Sequence, residues 1–303
     1  MKHSPFLFAA ILSIYLTPVQ SSNGDIQEFN DYINTSISKA NIAGMSIAIV
    51  YGDSILFGNG YGYSDIKTKE PFTLETVMNI ASISKTFVGV ALMHMVEKGL
   101  IGLDDDVNNF LPFKILNPHL PESIITPRHL MSHSSGIKDD QKVYLPSYHY
   151  GSDSPIPLGE FIEDYLSPNG THYSKNNFTK SKPGEKFVYS NIGAGLAGYI
   201  VERVSGKSLN IFTKEIIFKP LGMKNTCWFL SEMDRSKHSR LYESKKNNTL
   251  LDNIELYGLT TYPDGGVRTT VADLSRYLLC IMNKGLYKGT RILKEETVSE
   301  MLT

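Results

Sequence analysis

The chain has 303 residues, a length that fits one large domain or two packed lobes at about 150 residues per domain. Hydrophobic residues make up 41% and charged residues 20%, which is enough apolar material for a buried core and excludes a disordered protein. Thirty Lys and Arg balance 31 Asp and Glu, so the charge favours neither nucleic acid nor an anionic membrane as a partner. Cys227 and Cys280 are too few for a disulfide scaffold or a cysteine-built zinc site. We expect a small-molecule or short-peptide partner.

The first 21 residues have the pattern of a signal peptide. Lys2 and His3 precede the apolar run Phe6–Leu16, and Val19–Ser21 offers the cleavage position. The alternative is a membrane anchor, but eleven largely apolar residues fall short of the ~20 that cross a bilayer. We therefore expect cleavage after Ser21, a secreted or periplasmic protein, and no stable membrane insertion of the mature chain.

The residues that follow predict a helix and then a β-hairpin. Ile26–Ser38 has amphipathic helical spacing, whereas Met45–Tyr51 has strand composition and begins a hairpin over residues 45–62. The hairpin ends in the glycine-rich run Gly58–Gly62, which partly resembles a dinucleotide-binding loop. Tyr63 stands where the third glycine is needed and no helix start follows, so we expect no cofactor.

The middle of the chain is dominated by helical patterns. Apolar residues recur at helical spacing over Ser82–Gly99. Further helix starts are indicated at Thr126, Ser208 and Thr270. The stretch 138–182 is rich in Ser, Asn, Pro and Tyr, which predicts long surface loops. We expect residues 82–262 to be largely helix and loop.

The strongest chemical signal is Ser82-Ile83-Ser84-Lys85. A serine and a lysine at positions i and i+3 of a helix share one face, so an unprotonated lysine can take the proton of the serine hydroxyl. Burial favours the neutral amine that this role requires, so we expect Lys85 to be desolvated. A helix starting after Ala81 would leave the Ser82 amide unpaired, where it can stabilise a developing oxyanion. Ser84 points elsewhere and is the weaker candidate nucleophile.

A second candidate element is Tyr189-Ser190-Asn191, about a hundred residues later. The Tyr189 hydroxyl can share in proton transfer between the serine and a leaving group. The Asn191 amide can hold a substrate carbonyl or orient the lysine. Each residue alone is common, and the tripeptide gains meaning only together with Ser82 and Lys85.

In this order and spacing, these residues resemble the serine β-lactamase and penicillin-binding-protein superfamily, in particular its class C-like branch of esterases, D-amino-acid peptidases and β-lactamases. The similarity runs from about residue 25 to the end of the chain. The segments that carry it are 81–86 with the S-x-x-K motif, 99–105, 125–136, 189–191, 220–223 and 264–274.

The resemblance implies an α/β (α+β) fold, with an antiparallel sheet flanked by helices beside a mostly helical lobe. It divides the mature chain into a first part of the sheet lobe at 22–80, a helical lobe at 81–262 and a return towards the sheet at 263–303. Ser82 would lie in the cleft between the lobes as the nucleophile. Lys85 and Tyr189 would be its proton-transfer partners, and Asn191 would bind substrate.

The sequence departs from the family at its C-terminal end. Members finish with further strands, one of which carries Lys-Thr-Gly or His-x-Gly and supplies a second oxyanion donor, but no such segment precedes Thr303. Partial matches occur at 149–151, 182–184 and 288–290. The first two lie in loop-like sequence before the middle motif and the third has its glycine one place early, so we reject all three. Without later strands, the hairpin at 45–62 would leave an edge and an apolar face uncovered.

Two functions follow from these observations. The first is an exported serine hydrolase that acts through an acyl-enzyme on an ester, a D-amino-acid peptide amide or a β-lactam. The second is a catalytically impaired binding protein that keeps the cleft and lacks the third motif. The chain is accordingly a working enzyme, a degenerate member, a fragment of a longer product, or a protein whose remaining strands come from elsewhere.

Other reaction classes are less well supported. His129 and His133 have the i, i+4 spacing of a zinc-binding helix, but Leu130 replaces the glutamate of that motif. We therefore expect no metal, and a histidine that is hydrogen-bonded to a nearby loop. The sequence also lacks a G-x-S-x-G elbow, which argues against an α/β-hydrolase.

Overall fold

Helices and short strands alternate along the chain in a computed structural model that describes residues 23–244 and 251–302. The proposed signal peptide, residues 1–21, lies outside these ranges. The helices are α1 Asn23–Lys39, α2 Ser84–Glu97, α3 Pro127–Met131, α4 Gln141–Tyr144, α5 Leu158–Leu166, α6 Asn191–Ser205, α7 Leu209–Thr213, α8 Val271–Met282 and α9 Glu295–Leu302. The strands are β1 Gly44–Tyr51, β2 Ser54–Asp65, β3 Glu70–Pro71, β4 Met78–Asn79, β5 Tyr148–Tyr150, β6 Leu241–Ser244, β7 Leu251–Ile254, β8 Tyr257–Leu259, β9 Arg268–Thr269, β10 Leu286–Tyr287 and β11 Thr290–Arg291.

The expected hairpin forms the largest described sheet. Strands β1, β2 and β3 lie in this order and pair antiparallel, with Gly44 opposite Gly62 at one end of the β1–β2 ladder. The glycine run serves close backbone packing, because a Cβ atom on Gly60 would lie 1.9 Å from the Phe72 carbonyl oxygen. The antiparallel sheet expected from the sequence is therefore confirmed.

One edge of this sheet is open within the described residues. There β1 pairs with β2 alone. The side chains of Ile49 and Tyr51 on β1 are 47% and 72% exposed, and Leu56 on β2 is also exposed. The sequence led us to expect such an edge.

Helices α2 and α6 pack against each other at the centre of the helical part. Most residues of both are buried, which fits their apolar composition around the whole circumference of the helix. Glycines in α6 allow neighbouring elements to approach its backbone. Gly198 faces Pro263, which lies in the 3₁₀ turn Tyr262–Asp264.

The prediction of long surface loops over 138–182 is wrong in part. The stretch contains α4, β5 and α5. Four residues of α5 are fully or almost fully buried: Leu158, Ile162, Tyr165 and Leu166. Because α5 is short and flanked by Pro, Ser and Asn, its apolar positions do not stand out from the surrounding polar sequence.

Residues 149 and 150 belong to a strand and residue 151 to the turn after it, so the loop expected there from the composition is wrong in part. Strand β5 includes His149 and pairs antiparallel with β8, with His149 opposite Gly258. The His149 Nε2 atom lies 2.9 Å from the Thr260 hydroxyl, and Gly151 follows at φ +80°. The side chain that would define a His-x-Gly motif is thus engaged within this strand pair.

A second short strand pair places the beginning of α2. Strand β4 pairs antiparallel with β9, with Asn79 opposite Arg268. The Ile80 amide continues the pairing by donating to the Val267 carbonyl at 3.1 Å. Residues 78–80 are thereby held next to residues 267–269, although the two segments are far apart in sequence. No helix among the described residues is long and apolar enough to span a membrane.

The contact between α6 and Pro263 can be tested with two glycines of the same helix. A Cβ atom at Gly198 would lie 2.5 Å from the Pro263 ring, whereas at Gly193 the nearest atoms lie at an ordinary 3.4 Å. We expect Gly198→Ala to lower the free energy of unfolding by about 1–3 kcal/mol, because the helix or the turn must shift. Gly193→Ala is the matched control and should be neutral or stabilising by up to about 1 kcal/mol.

Urea unfolding of both variants measures this difference. Equal stability of the two variants would contradict the close packing of α6 on the Tyr262–Asp264 turn.

Candidate active site

Ser82 lies on an exposed 3₁₀ turn, Ala81–Ile83, that leads into α2. The α-helix itself starts at Ser84, two residues later than a start immediately after Ala81 would require. Asn79 fixes the entry to the turn, since its Oδ1 accepts from the Ala81 amide at 2.7 Å. The Ile83 amide donates to the Ile80 carbonyl at 3.2 Å, whereas the Ser82 amide has no acceptor among the described residues.

Ser84 is separated from the candidate site, as expected. Its side chain is fully buried, and its Oγ accepts a hydrogen bond from the Val267 amide at 2.9 Å. This bond ties the first turn of α2 to the segment before β9. Ser84 thus has a structural partner, whereas Ser82 is exposed.

The Lys85 ammonium group lies at the centre of the site. Its Nζ donates to Ser82 Oγ at 3.1 Å, to Asn191 Oδ1 at 2.8 Å and to the Asp264 carbonyl oxygen at 2.6 Å. An ammonium group has three protons, so each has an acceptor. Lys85 thereby joins α2, the start of α6 and the turn before β9.

Tyr189 lies on the other side of Ser82. Its hydroxyl donates to Ser82 Oγ at 2.8 Å, and its ring centroid is 4.9 Å from Lys85 Nζ, within cation–π range. The ring also packs on the imidazole of His133 at a centroid distance of 4.4 Å. Tyr189 is 45% exposed, so part of its side chain is accessible to a ligand.

The start of α6 places Asn191 beside Lys85. Ser190 is the N-cap, and its Oγ accepts from the Gly193 amide at 2.9 Å. Asp139 adds a carboxylate to the same helix end. It accepts from Ser190 Oγ and the Asn191 amide at 2.8 Å each, and from the Ile192 amide at 3.1 Å. The structure thus brings together all four residues singled out in the sequence: Ser82, Lys85, Tyr189 and Asn191.

A family model described as Beta-lactamase matches residues 25–303. The chain belongs to the beta-lactamase family. This confirms the superfamily that the sequence motifs resemble.

The chain is similar to several known members and relatives. Protein flp of Staphylococcus aureus (strain MRSA252) is 28% identical over 263 residues, which cover 86% of this chain and 50% of that protein. The octameric penicillin-binding protein homologue of Pyrococcus abyssi superposes with a TM-score of 0.73 at 29% identity, covering 92% of this chain and 60% of that one. The D-amino acid amidase of Ochrobactrum anthropi SV3 gives a TM-score of 0.72 at 23% identity over 91% of this chain and 72% of that one, which is a likeness of fold.

This member of the beta-lactamase family spans about half the length of the curated relatives that it matches. The solved structures confirm the mixed fold of antiparallel strands and helices that the sequence indicated.

His133 contributes to the site, although its sequence context indicates only a metal ligand or a loop contact. It has a positive φ of +53°, and its Nδ1 accepts from the Ser190 amide at 3.3 Å. Burial lowers the pKa of His133, and the nearby Lys85 ammonium lowers it further, while Asp139 acts in the opposite direction. A neutral imidazole fits both its role as acceptor and its packing on Tyr189.

Asp264 is a second residue to which sequence reasoning assigned no role, although it opens the matched segment 264–274. Its carbonyl accepts from Lys85, and its buried carboxyl accepts from Tyr144 at 3.1 Å and from Thr261 at 2.5 Å. Burial raises the pKa of this carboxyl to about 7, while the hydrogen bonds and the Lys85 charge act in the opposite direction. The backbone that holds the lysine is therefore anchored by a carboxyl near its protonation midpoint at neutral pH.

His129 has a structural partner and does not point to a metal site. Its Nδ1 accepts from the Thr126 amide at 3.2 Å, and its own amide donates to Thr126 Oγ1, which forms a capping box for α3. Across residues 23–244 and 251–302, no group of three or more His, Cys, Asp or Glu side chains is arranged to hold a metal ion.

Removing the Asp139 carboxylate should destabilise the start of α6. Asp139→Ala leaves three hydrogen-bond donors without their acceptor, so we expect the free energy of unfolding to fall by about 2 kcal/mol in urea titrations. Asp140→Ala is the neighbouring control, because Asp140 caps only the four-residue α4. A larger loss for Asp140→Ala would contradict the role given to Asp139.

The Asp264 carboxyl should make stability depend on pH. Its pKa in the folded protein lies above the ordinary value of 3.8, so the native state holds the proton more tightly than the unfolded chain. This contribution is complete below about pH 4 and is lost as the pH rises through about 7, by on the order of 4 kcal/mol at most.

Urea unfolding of the wild type and of Asp264→Asn over about pH 4–8 isolates the effect. We expect the variant to lose less stability than the wild type over this range, with the exposed change Asp105→Asn as control. A wild type and variant with parallel pH profiles would contradict the burial argument.

Proposed function

We propose that this chain is an exported serine hydrolase that forms an acyl-enzyme at Ser82. The observation that carries the proposal is the position of Ser82 Oγ, 3.1 Å from Lys85 Nζ and 2.8 Å from the Tyr189 hydroxyl. A nucleophilic serine needs a neighbouring base within hydrogen-bond distance, and here two groups meet that condition. Ser82 is exposed, so an acyl group can reach it.

The reaction begins with loss of the Ser82 proton as Oγ attacks the substrate carbonyl carbon. Ser82 Oγ accepts from both Lys85 and Tyr189, so attack requires one of these groups to act as the acceptor instead. The proton then passes to the leaving nitrogen or oxygen as its bond to the acyl carbon breaks. Water attacks the resulting Ser82 ester and returns the proton to Oγ.

Charge stabilisation in this scheme comes from two groups. The Ser82 amide has no acceptor among the described residues and can donate to the oxygen that becomes negative. The Lys85 charge lies next to Ser82 and stabilises negative charge as it develops on Oγ. Asn191 Oδ1 is used by Lys85, which leaves its Nδ2 group to donate to a substrate carbonyl.

The substrate class we propose is a small acyl compound: an ester, a D-amino-acid peptide amide or a β-lactam. All three present a carbonyl carbon to a serine nucleophile and differ in the shape of the pocket that selects them. A fold shared with a D-amino acid amidase supports the amide within this range. The exposed part of the Tyr189 side chain offers an aromatic surface next to Ser82.

Acylation can be measured by intact mass and by peptide mapping of the full chain after treatment with a fluorescent penicillin or an alkyl phosphonate ester. We expect one adduct on Ser82 and none after Ser82→Ala. Ser84→Ala is the matched control two residues away, and it should still be labelled. Its buried hydrogen bond to Val267 would be lost, so we expect its stability to fall by about 1–2 kcal/mol.

Two results would overturn the proposal. An adduct that persists after Ser82→Ala would place the nucleophile elsewhere. Saturable binding of the probe to the wild type without any adduct would favour the binding protein that keeps the cleft without its chemistry.

A further inference from the structure

A second cavity of about 390 Å³ lies outside the Ser82 site. One wall is the π-helical turn Lys214–Phe218, in which the Lys219 amide donates to the Lys214 carbonyl at 2.9 Å. The rest of the lining comes from residues 222–227, 232–234 and 237, and from Val77. Single π-turns occur often at functional sites, so the wall itself favours a ligand-binding role for this cavity.

Four lysines line this cavity: Lys214, Lys219, Lys224 and Lys237. None of their ammonium groups forms an ion pair or a side-chain hydrogen bond with another described residue, whereas Lys207 pairs with Glu215 at 2.5 Å. All four lysines are exposed, so water screens their mutual repulsion, and an anion between them would lower it further. The cavity therefore favours an anionic occupant.

The two carboxylates at the cavity wall are already used by the protein. Glu232 Oε2 accepts from the Trp228 and Phe229 amides at 3.1 Å each, and its Oε1 accepts from Asn210. Asp234 accepts from the amide and the hydroxyl of Ser236. These carboxylates stabilise local turns, and neither forms an ion pair with one of the four lysines, although the Lys237 charge helps to lower the pKa of Asp234.

Apolar side chains form part of the cavity lining. Phe218 and Met223 are almost fully buried and line it together with Val77 and Met233. Cys227 also lines it, and burial raises the pKa of its thiol to about 12, so it presents a neutral sulfur. The cavity has the size of a small-molecule site and is much larger than a bare inorganic anion requires.

We propose that this cavity binds a small organic phosphate, with the phosphate group among the four lysines and an apolar body against Phe218, Met223 and Val77. Lysine ammonium groups are compact charges that suit a phosphate dianion. The site is distinct from Ser82, and its occupation does not depend on the proposed hydrolase activity.

Calorimetric titration of the full chain with phenyl phosphate tests the proposal, with inorganic phosphate and neutral phenol as comparison probes. We expect saturable binding of phenyl phosphate, weaker binding of inorganic phosphate and none of phenol. The only tryptophan of the chain, Trp228, follows Cys227 and donates its amide to Glu232, so its fluorescence should change with the same saturation curve.

Lysine variants locate the binding. Lys219→Gln combined with Lys224→Gln should raise the Kd on the order of tenfold, because two of the four cations are lost. The arginine pair, Lys219→Arg with Lys224→Arg, keeps the charges and should restore most of the affinity. Lys67→Gln with Lys98→Gln removes two exposed charges elsewhere and should change the Kd by less than about twofold.

Several results would overturn the site. No saturable heat with phenyl phosphate would exclude it. If Lys67→Gln with Lys98→Gln lost as much affinity as Lys219→Gln with Lys224→Gln, the binding would be a non-specific attraction to surface lysines. Inorganic phosphate that binds as tightly as phenyl phosphate would remove the role of the apolar wall.

Discussion

The Lys85 ammonium group is the interaction on which the candidate active site depends. Its three hydrogen bonds reach Ser82 in the preceding turn, Asn191 at the start of α6 and the carbonyl of Asp264. The last two acceptors lie on segments separated by 106 and 179 residues from the lysine. For these three hydrogen bonds to form together, three parts of the chain must meet within about 3 Å of Lys85 Nζ.

Separate packing contacts and hydrogen bonds of the surrounding fold bring these three parts of the chain together. Packing of α2 on α6 brings Lys85 and Asn191 together, and the glycines of α6 allow the turn with Asp264 to approach. Pairing of β4 with β9 fixes the entry to the Ser82 turn against the same return segment. Asp139 then sets the direction of the first residues of α6. The helices are positioned by apolar packing, whereas the final placement of the side chains rests on directed hydrogen bonds.

Local patterns were sufficient to predict much of this arrangement. The spacing of Ser82 and Lys85 predicts their contact, since residues three apart on a helix share one face. The N-caps at Thr126 and Thr270 were also readable, and both accept the expected backbone hydrogen bond. Family resemblance was needed to join Tyr189 and Asn191 to the same site, because no local rule relates positions a hundred residues apart.

The features that the sequence did not reveal were missed because they depend on tertiary contacts. Asp139 and Asp264 look like ordinary polar residues near loops, and their importance comes from partners 51 or more residues away. The helix α5 was missed for a related reason, because it has only nine residues inside polar sequence and is stabilised by burial against the core. Tertiary contacts decide both cases, and local composition does not contain them.

The hydrogen bonds of Lys85 also indicate how the site can change its proton distribution without rearranging. The two shorter bonds, at 2.6 Å to the Asp264 carbonyl and 2.8 Å to Asn191 Oδ1, go to groups that only accept. The longest, at 3.1 Å, goes to Ser82 Oγ, which can also donate. A neutral amine keeps two protons for the two obligate acceptors and turns its lone pair to the serine. The same geometry therefore fits two states of Lys85: an ammonium group that donates to Ser82 Oγ, and a neutral amine that accepts from it. Because the Asp264 carbonyl and Asn191 Oδ1 can only accept, the one Lys85 hydrogen bond that can reverse its direction is the bond to the exposed Ser82 hydroxyl.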